Sequence, residues 1–163
     1  MRNMKPLTTL LASGALMMTA ATAALANDAV QTIREFYAVA DARPMDAKAV
    51  RSYFADAFID HDGHHNGSHA DAVAGVYGAL ADGAPDSRHD LAMVLPSGED
   101  KAIVYWRYKG TNTNNLFGMP STDPARAFDI AGIEIFTVQD GKITEMRHVE
   151  EIAKLVETLT GEQ

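Results

Sequence analysis

Apolar positions recur at helical spacing in the first half of the chain and alternate with polar ones in the second. From Asp28 to Ala42, Val30, Ile33, Tyr37 and Ala40 fall three and four residues apart, while Gln31, Arg34, Glu35 and Asp41 face elsewhere. That pattern predicts an amphipathic helix. Pro44 ends it, and Asp46 is placed to cap a second short helix running through Phe54. Phe58 to His61 reads as a short extended piece, and Gly63 and Gly67 bracket a polar loop. Ser68 is a good N-cap for a third helix with Ala72, Val73, Val76, Tyr77 and Leu80 inward, stopped at Gly83-Ala84-Pro85.

From Arg88 onward the period becomes two. Arg88 to Leu95 and Lys101 to Lys109 read as strands around a Pro96–Glu99 turn. In the second of these, Ala102, Val104, Trp106 and Tyr108 share one face, and Ile103, Tyr105 and Arg107 the other. A long Asn-, Thr- and Pro-rich loop from Gly110 to Pro124 carries apolar Leu116, Phe117 and Met119. The stretch from Arg126 to Glu150 holds the strongest hairpin signal, two β-rich runs around Asp140-Gly141. That pair tolerates the positive φ angles of a type I′ turn. A tail helix is expected from Glu150 to Leu159. Three helices, then four antiparallel strands, then a tail helix predict an α+β domain. Its long curved antiparallel sheet, with helices on one face, encloses a cone-shaped cavity suited to a ligand.

The N-terminus changes the count of folded residues. Arg2 and Lys5 precede an apolar run from Leu7 to Met18, and Ala24-Leu25-Ala26 fits a small-x-small cleavage site. Residues 1–26 therefore read as a signal peptide, with an uncleaved anchor as the alternative. The mature domain is expected over residues 27–163, periplasmic or secreted. Loss of Arg2 and Lys5 makes the formal charge of −8 two units more negative. Such acidity argues against nucleic acid and, once the signal is removed, against a membrane surface as partner. The absence of cysteine excludes thiol catalysis and zinc–thiolate sites.

Candidate chemistry centres on Glu134. It shares its parity with Phe128, Ile130, Phe136 and Val138, so it is a carboxylate among large apolar side chains. If dry, its pKa rises toward the range of a general base. If a bulge at Gly132 turns it outward, it is an ordinary surface acid. Donors available to a developing enolate are Tyr105, Trp106, Tyr108, Asn112, His89 and His148. Arg147, pointing inward, would neutralise Glu134 or hold an anionic ligand. Between His61 and His69 lie four histidines and Asp62. Their spacing matches no established metal motif, and the segment reads as a solvated loop with no metal expected. His61 stands apart as a candidate acid or base at the cone mouth. Among the aromatics, Trp106 and Phe117 are the candidate ligand contacts, and Arg107 and Arg126 read as solubilising.

Gly110-Thr111 followed by Leu116-Phe117-Gly118-Met119-Pro120-Ser121-Thr122 resembles the loop motif of SnoaL-like polyketide cyclases. Gly132 to Glu145 is similar to that family's closing hairpin, and Phe58 to His61 to its helix-to-loop passage. The resemblance covers most of Val30 to Leu159. It implies the nuclear transport factor two-like α+β cone with a pocket at its open end, commonly dimerised through the sheet. It further implies cofactor-independent aldol chemistry, with the family's acid/base aspartate replaced by Glu134. Asn112 stands where the family has histidine. Arg147 and Glu151 replace a tryptophan and an aspartate. The reading that follows is an exported domain binding a small apolar carbonyl compound, with catalytic Glu134 and His61. Trp106, Tyr108, Asn112, Phe117, Phe136 and Arg147 would contact the substrate, with no cofactor and in a homodimer. A non-catalytic periplasmic binding module with a Glu134–Arg147 pair, and a dimeric interaction domain, are the alternatives. A raised Glu134 pKa favours the first, a depressed one the second, and a filled cone the third.

Overall fold

The structure, a computed structural model, describes residues 28–63 and 69–161. The expected signal peptide, Ser68, His64 and His65 lie outside the described residues. The elements are α1 over residues 28–40, α2 (Ala47–Arg51), β1 (Phe54–Asp60), α3 (Ala70–Gly83), β2 (Arg88–Ser97), β3 (Lys101–Thr111), a 3-10 turn (Leu116–Gly118), β4 (Ala127–Gln139), β5 (Lys142–Glu150) and α4 (Ile152–Thr160). The sheet runs β1-β5-β4-β3-β2. Pairs among β2 to β5 are antiparallel, while β1 lies parallel to β5.

That fifth strand corrects the four-strand expectation. Asp46 does cap α2, accepting from the Lys48 and Ala49 N–H groups at 2.9 and 3.2 Å, but the helix stops at Arg51. Phe54 instead opens β1. In that strand Phe54 and Phe58 are buried, and its register on β5 shifts between Phe54 and Ile59. The irregularity leaves Asp56 exposed between the two buried phenylalanines, so the alternation fails at Phe54, while the extended piece expected from Phe58 is the end of this strand. In α3 the inward stripe is Ala70, Val73, Ala74, Tyr77 and Ala81. Ala72 and Val76 face outward, because a stripe rich in alanine gives a weak apolar signal.

Phe36, on the α1 stripe beside Tyr37, is the hub of the core. Its ring meets Tyr37, Tyr53, Phe54, Tyr77 and Phe136 edge-on, with centroids 5.2 to 6.1 Å apart. Such contacts add to burial rather than replace it. The concave sheet face is Ala102, Val104, Trp106 and Tyr108 of β3 with Phe128, Ile130, Glu134, Phe136 and Val138 of β4, all buried. Arg126 donates to the Thr158 and Leu159 carbonyls at the C-terminal end of α4. Its cation complements that helix end, so it is a cap rather than a solubilising charge. Arg107 does lie outside, 2.7 Å from Asp129.

Two details of the hairpin position the site. Asp140 and Gly141 take φ of 51° and 70°, the left-handed pair that a type I′ turn needs. A bulge then follows, since Val138 faces Ile143 but Thr137 faces Glu145. No bulge occurs at Gly132, where the β3–β4 register is unbroken from Lys101↔Thr137 to Thr111↔Ala127. Glu134 therefore stays on the concave face.

Candidate active site

Glu134 is 4% exposed and lies between Val104 of β3 and His148 of β5. The Tyr37 hydroxyl, brought over by α1, donates to its Oε2. Burial pushes the Glu134 carboxyl up to about 8, the nearby Glu150 carboxylate adds to the rise, and His148 opposes it. His148 is itself held by two acids. Its Nδ1 is 3.4 Å from Glu150 Oε1, and its Nε2 is 3.2 Å from Asp60 Oδ1 without hydrogen-bond alignment. The Glu150 hydrogen bond leads the effects that raise its pKa to about 9, against the opposing effect of burial. Both shifts run upward, so burial favours the protonated form of the carboxyl while the neighbouring acids favour the imidazolium.

Trp106 lies on the same face. A Cβ added at Gly132 would come within 2.3 to 2.8 Å of three atoms of its indole, so the ring occupies the space that any other residue at 132 would fill. Its Nε1 is buried and has no hydrogen-bond partner among the described residues. A buried donor left open is uncommon in a native interior.

A third group faces the same aromatic interior. Asp41, one residue past α1, accepts from the His89 backbone N–H at 2.8 Å and lies 2.9 Å from His89 Nδ1. The His89 ring is surrounded by Tyr37, Tyr77, Trp106 and Tyr108, with centroids 4.5 to 5.8 Å away. Burial raises the pKa of both Tyr77 and Tyr108, the latter to about 12. The Tyr108 hydroxyl donates to Ser87 Oγ, which also meets the Arg43 guanidinium at 3.2 Å. These phenols stay neutral donors at any ordinary pH.

Of the residues read from sequence as the site, Glu134, Trp106, Tyr108 and Phe136 are buried on the same face of the curved sheet. The others do not join them. His61 is exposed, its Nε2 3.0 Å from Glu145. Phe117 is 49% exposed, turned out by a backbone φ of 50°. Asn112 is buried but fastens its own loop. It donates to the Met119 carbonyl at 3.0 Å and accepts the Leu116 N–H at 2.8 Å. Arg147 is exposed and faces Ile135, so the expected Glu134–Arg147 pair is absent. The hairpin bulge is the cause. An unbroken register from Gln139↔Lys142 would set Arg147 opposite Glu134, and the one-residue shift sets His148 there instead.

Sequence reasoning missed Tyr37, Asp41, Asp60 and Glu150, and weighed His89 and His148 only as donors. Their one signal was parity: His148 and Glu150 share an alternation. Of the histidine-rich loop, His61 and His69 are described, and the described residues hold no group of three or more potential ligands arranged for a metal. Two surface depressions, one between α2 and α3 and one at the Asp140-Gly141 end, are lined by none of the residues around Glu134.

Known proteins share this architecture. A structure from Jannaschia sp. CCS1, provisionally described as a SnoaL-like polyketide cyclase, superposes with a TM-score of 0.69 at 17% identity, covering 84% of this chain and 94% of that one. IdmH of Streptomyces antibioticus, provisionally a polyketide cyclase, gives 0.66 at 20% identity over 80% and 97%. A provisional polyketide cyclase from Bacillus cereus ATCC 10987 gives 0.66 at 22% over 81% and 80%. At these identities the likeness establishes the fold. No curated protein matches. The sequence model of SnoaL-like polyketide cyclases matches residues 27–159, nearly the whole of the folded chain. Motif, fold and profile agree, and the chain belongs to the SnoaL-like polyketide cyclase family.

Proposed function

We propose that the chain binds a small, largely apolar carbonyl compound inside the curved sheet and transfers protons to and from it through Glu134. The reaction is of the aldol cyclase or isomerase type and needs no cofactor. The observation that supports this reading most is a carboxyl 4% exposed, hydrogen-bonded to the Tyr37 phenol and facing His148. A dry carboxyl of this kind is the acid–base group that enolisation requires, with the unpartnered Trp106 indole N–H at hand for the oxygen. Because it keeps its proton at neutral pH, Glu134 acts first as donor and then as base on the return step.

An NMR titration of the Glu134 side-chain carboxyl, assigned with Glu134→Gln, is expected to give a midpoint near 8. A midpoint below the ordinary carboxylate value would mean that a cation holds the group, and the acid–base reading would be dropped in favour of binding alone. The binding-module reading loses its specific support, since Arg147 points away.

A homodimer through the convex face belongs to the same proposal, as does export directed by residues 1–26. That face leaves Met93, Leu95, Ile133, Ile135 and Val149 exposed, the last at 77%. Clustered exposed apolar side chains of this kind favour a self-complementary interface. Light scattering is expected to report a dimer for the wild type and a monomer for Ile133→Lys/Val149→Lys. A wild-type monomer at high micromolar concentration would remove the proposal.

A further inference from the structure

We propose that His89, oriented by Asp41, is the second proton-transfer group of this site: its Nε2 takes the α-proton of the bound carbonyl compound while Glu134 gives its proton to the carbonyl oxygen. The inference rests on the acid–base reading of Glu134.

It starts from an imbalance. A carboxyl that retains its proton can supply the proton an enol oxygen needs, but it cannot at the same moment remove one from carbon. A base is required elsewhere in the same interior. His89 has the arrangement for one. Asp41 holds it twice, at the backbone N–H (2.8 Å) and at Nδ1 (2.9 Å), with only 5% of the His89 side chain and 17% of Asp41 exposed. A link between the end of α1 and β2 would need only the backbone bond. The second bond places the proton on Nδ1 and leaves the Nε2 lone pair open, the orientation by which a carboxylate prepares a histidine base. Nε2 makes no hydrogen bond among the described residues.

The two groups share a wall. Tyr37 has its ring centroid 4.9 Å from that of His89 while its hydroxyl rests on Glu134, and the Trp106 ring lies 5.1 Å from His89 edge-on. The step balances. The α-C–H bond breaks and its proton goes to Nε2. The electron pair moves into the carbonyl to form the enol, and the Glu134 proton goes to oxygen. The products are an imidazolium facing the Asp41 carboxylate and a Glu134 carboxylate facing the His148 imidazolium, so each new charge meets an opposite one.

The test is α-hydrogen exchange of 2-tetralone in D2O, followed by proton NMR, which reads proton abstraction without the natural substrate. The wild type is expected to accelerate exchange over buffer. His89→Gln is expected to lose about a hundredfold or more of that acceleration, the scale of a positioned base. Asp41→Asn, a positioning change that keeps the ring, is expected to lose at least tenfold and serves where His89→Gln does not fold. Wild-type exchange in His89→Gln with loss in Glu134→Gln would overturn the role of His89 and leave Glu134 standing. Loss in His89→Gln with full exchange in Glu134→Gln would overturn the reading of Glu134 as donor and keep His89 as base. Exchange no faster than buffer in the wild type would overturn both. Long-range 15N–1H spectra at pH 7 read the tautomer that the assignment requires. Nδ1–H with a bare Nε2 supports the assignment, and the opposite tautomer or an imidazolium overturns it.

Discussion

Gly132→Ala is expected to lower the thermal midpoint by roughly 10 °C, a loss on the order of 3 kcal/mol. The glycine needs no unusual backbone angle. It is required because a methyl there would fall 2.3 Å from Trp106 Cζ2 and 2.5 Å from Cη2. Trp106 is 3% exposed, so the indole cannot swing into solvent without opening the concave face. The position is thus a local overpacking site against the indole, where even one added carbon is felt. Two comparisons isolate the cause. Gly75, on the exposed side of α3 with nothing within 4 Å of an added Cβ, is expected to gain about 0.5–1 kcal/mol as alanine, from helix propensity alone. Combining Gly132→Ala with Trp106→Leu is expected to cost less than the sum of the two single changes, because the shorter side chain vacates the methyl's place. Additive losses in thermal melts would show that the glycine is not kept for the indole.

The same contact shows how much of the fold could be read in advance. The alternation that buries Trp106 and Glu134 is written in β3 and β4, and Asp140-Gly141 announces the turn, so the concave face was legible. Contacts between distant elements were not. Tyr37 sits on the inward stripe of α1, but nothing local says that its hydroxyl meets a carboxylate 97 residues away. Arg147 and His148 are adjacent in sequence, and which of them faces Glu134 depends on one bulged residue between Thr137 and Val138. Register errors of one residue exchange the two faces of a strand, so a cation was assigned to the wrong side chain. Of β1 only the end from Phe58 was read as extended, because the shifted pairing leaves Asp56 exposed and breaks the alternation that would have joined Phe54 to it. The candidate site depends on these long-range choices more than the fold does. The element order survives a shifted register, while the partner of a buried carboxyl does not.

That partner sets the other large expectation, in the dependence of stability on pH. An unfolded Glu134 loses its proton near the ordinary value of 4.5, whereas the folded one keeps it until about 8. Between those values the folded state binds the extra proton, so stability falls as pH rises through the window and levels off above it. His148 acts in the same direction. Its raised pKa contributes stability that is complete below 6.5 and lost as pH rises through about 9. The wild type is therefore expected to lose stability steadily from pH 5 to 9 in urea titrations. Glu134→Gln keeps the shape and an acceptor for the Tyr37 hydroxyl but cannot ionise. Its curve should be nearly flat up to about 6.5 and fall only through the His148 range. Above pH 8 it should be more stable than the wild type by an amount on the order of 4 kcal/mol, the free energy that the raised carboxyl pKa represents. Identical curves for the two proteins would mean that the carboxyl is solvated, and its place in the chemistry would go with its burial. A variant that gains stability while losing α-hydrogen exchange would instead show what keeps an ionisable group in this interior. The cost of holding Glu134 dry is carried by the fold, and the return is a carboxyl poised to give up its proton near neutral pH.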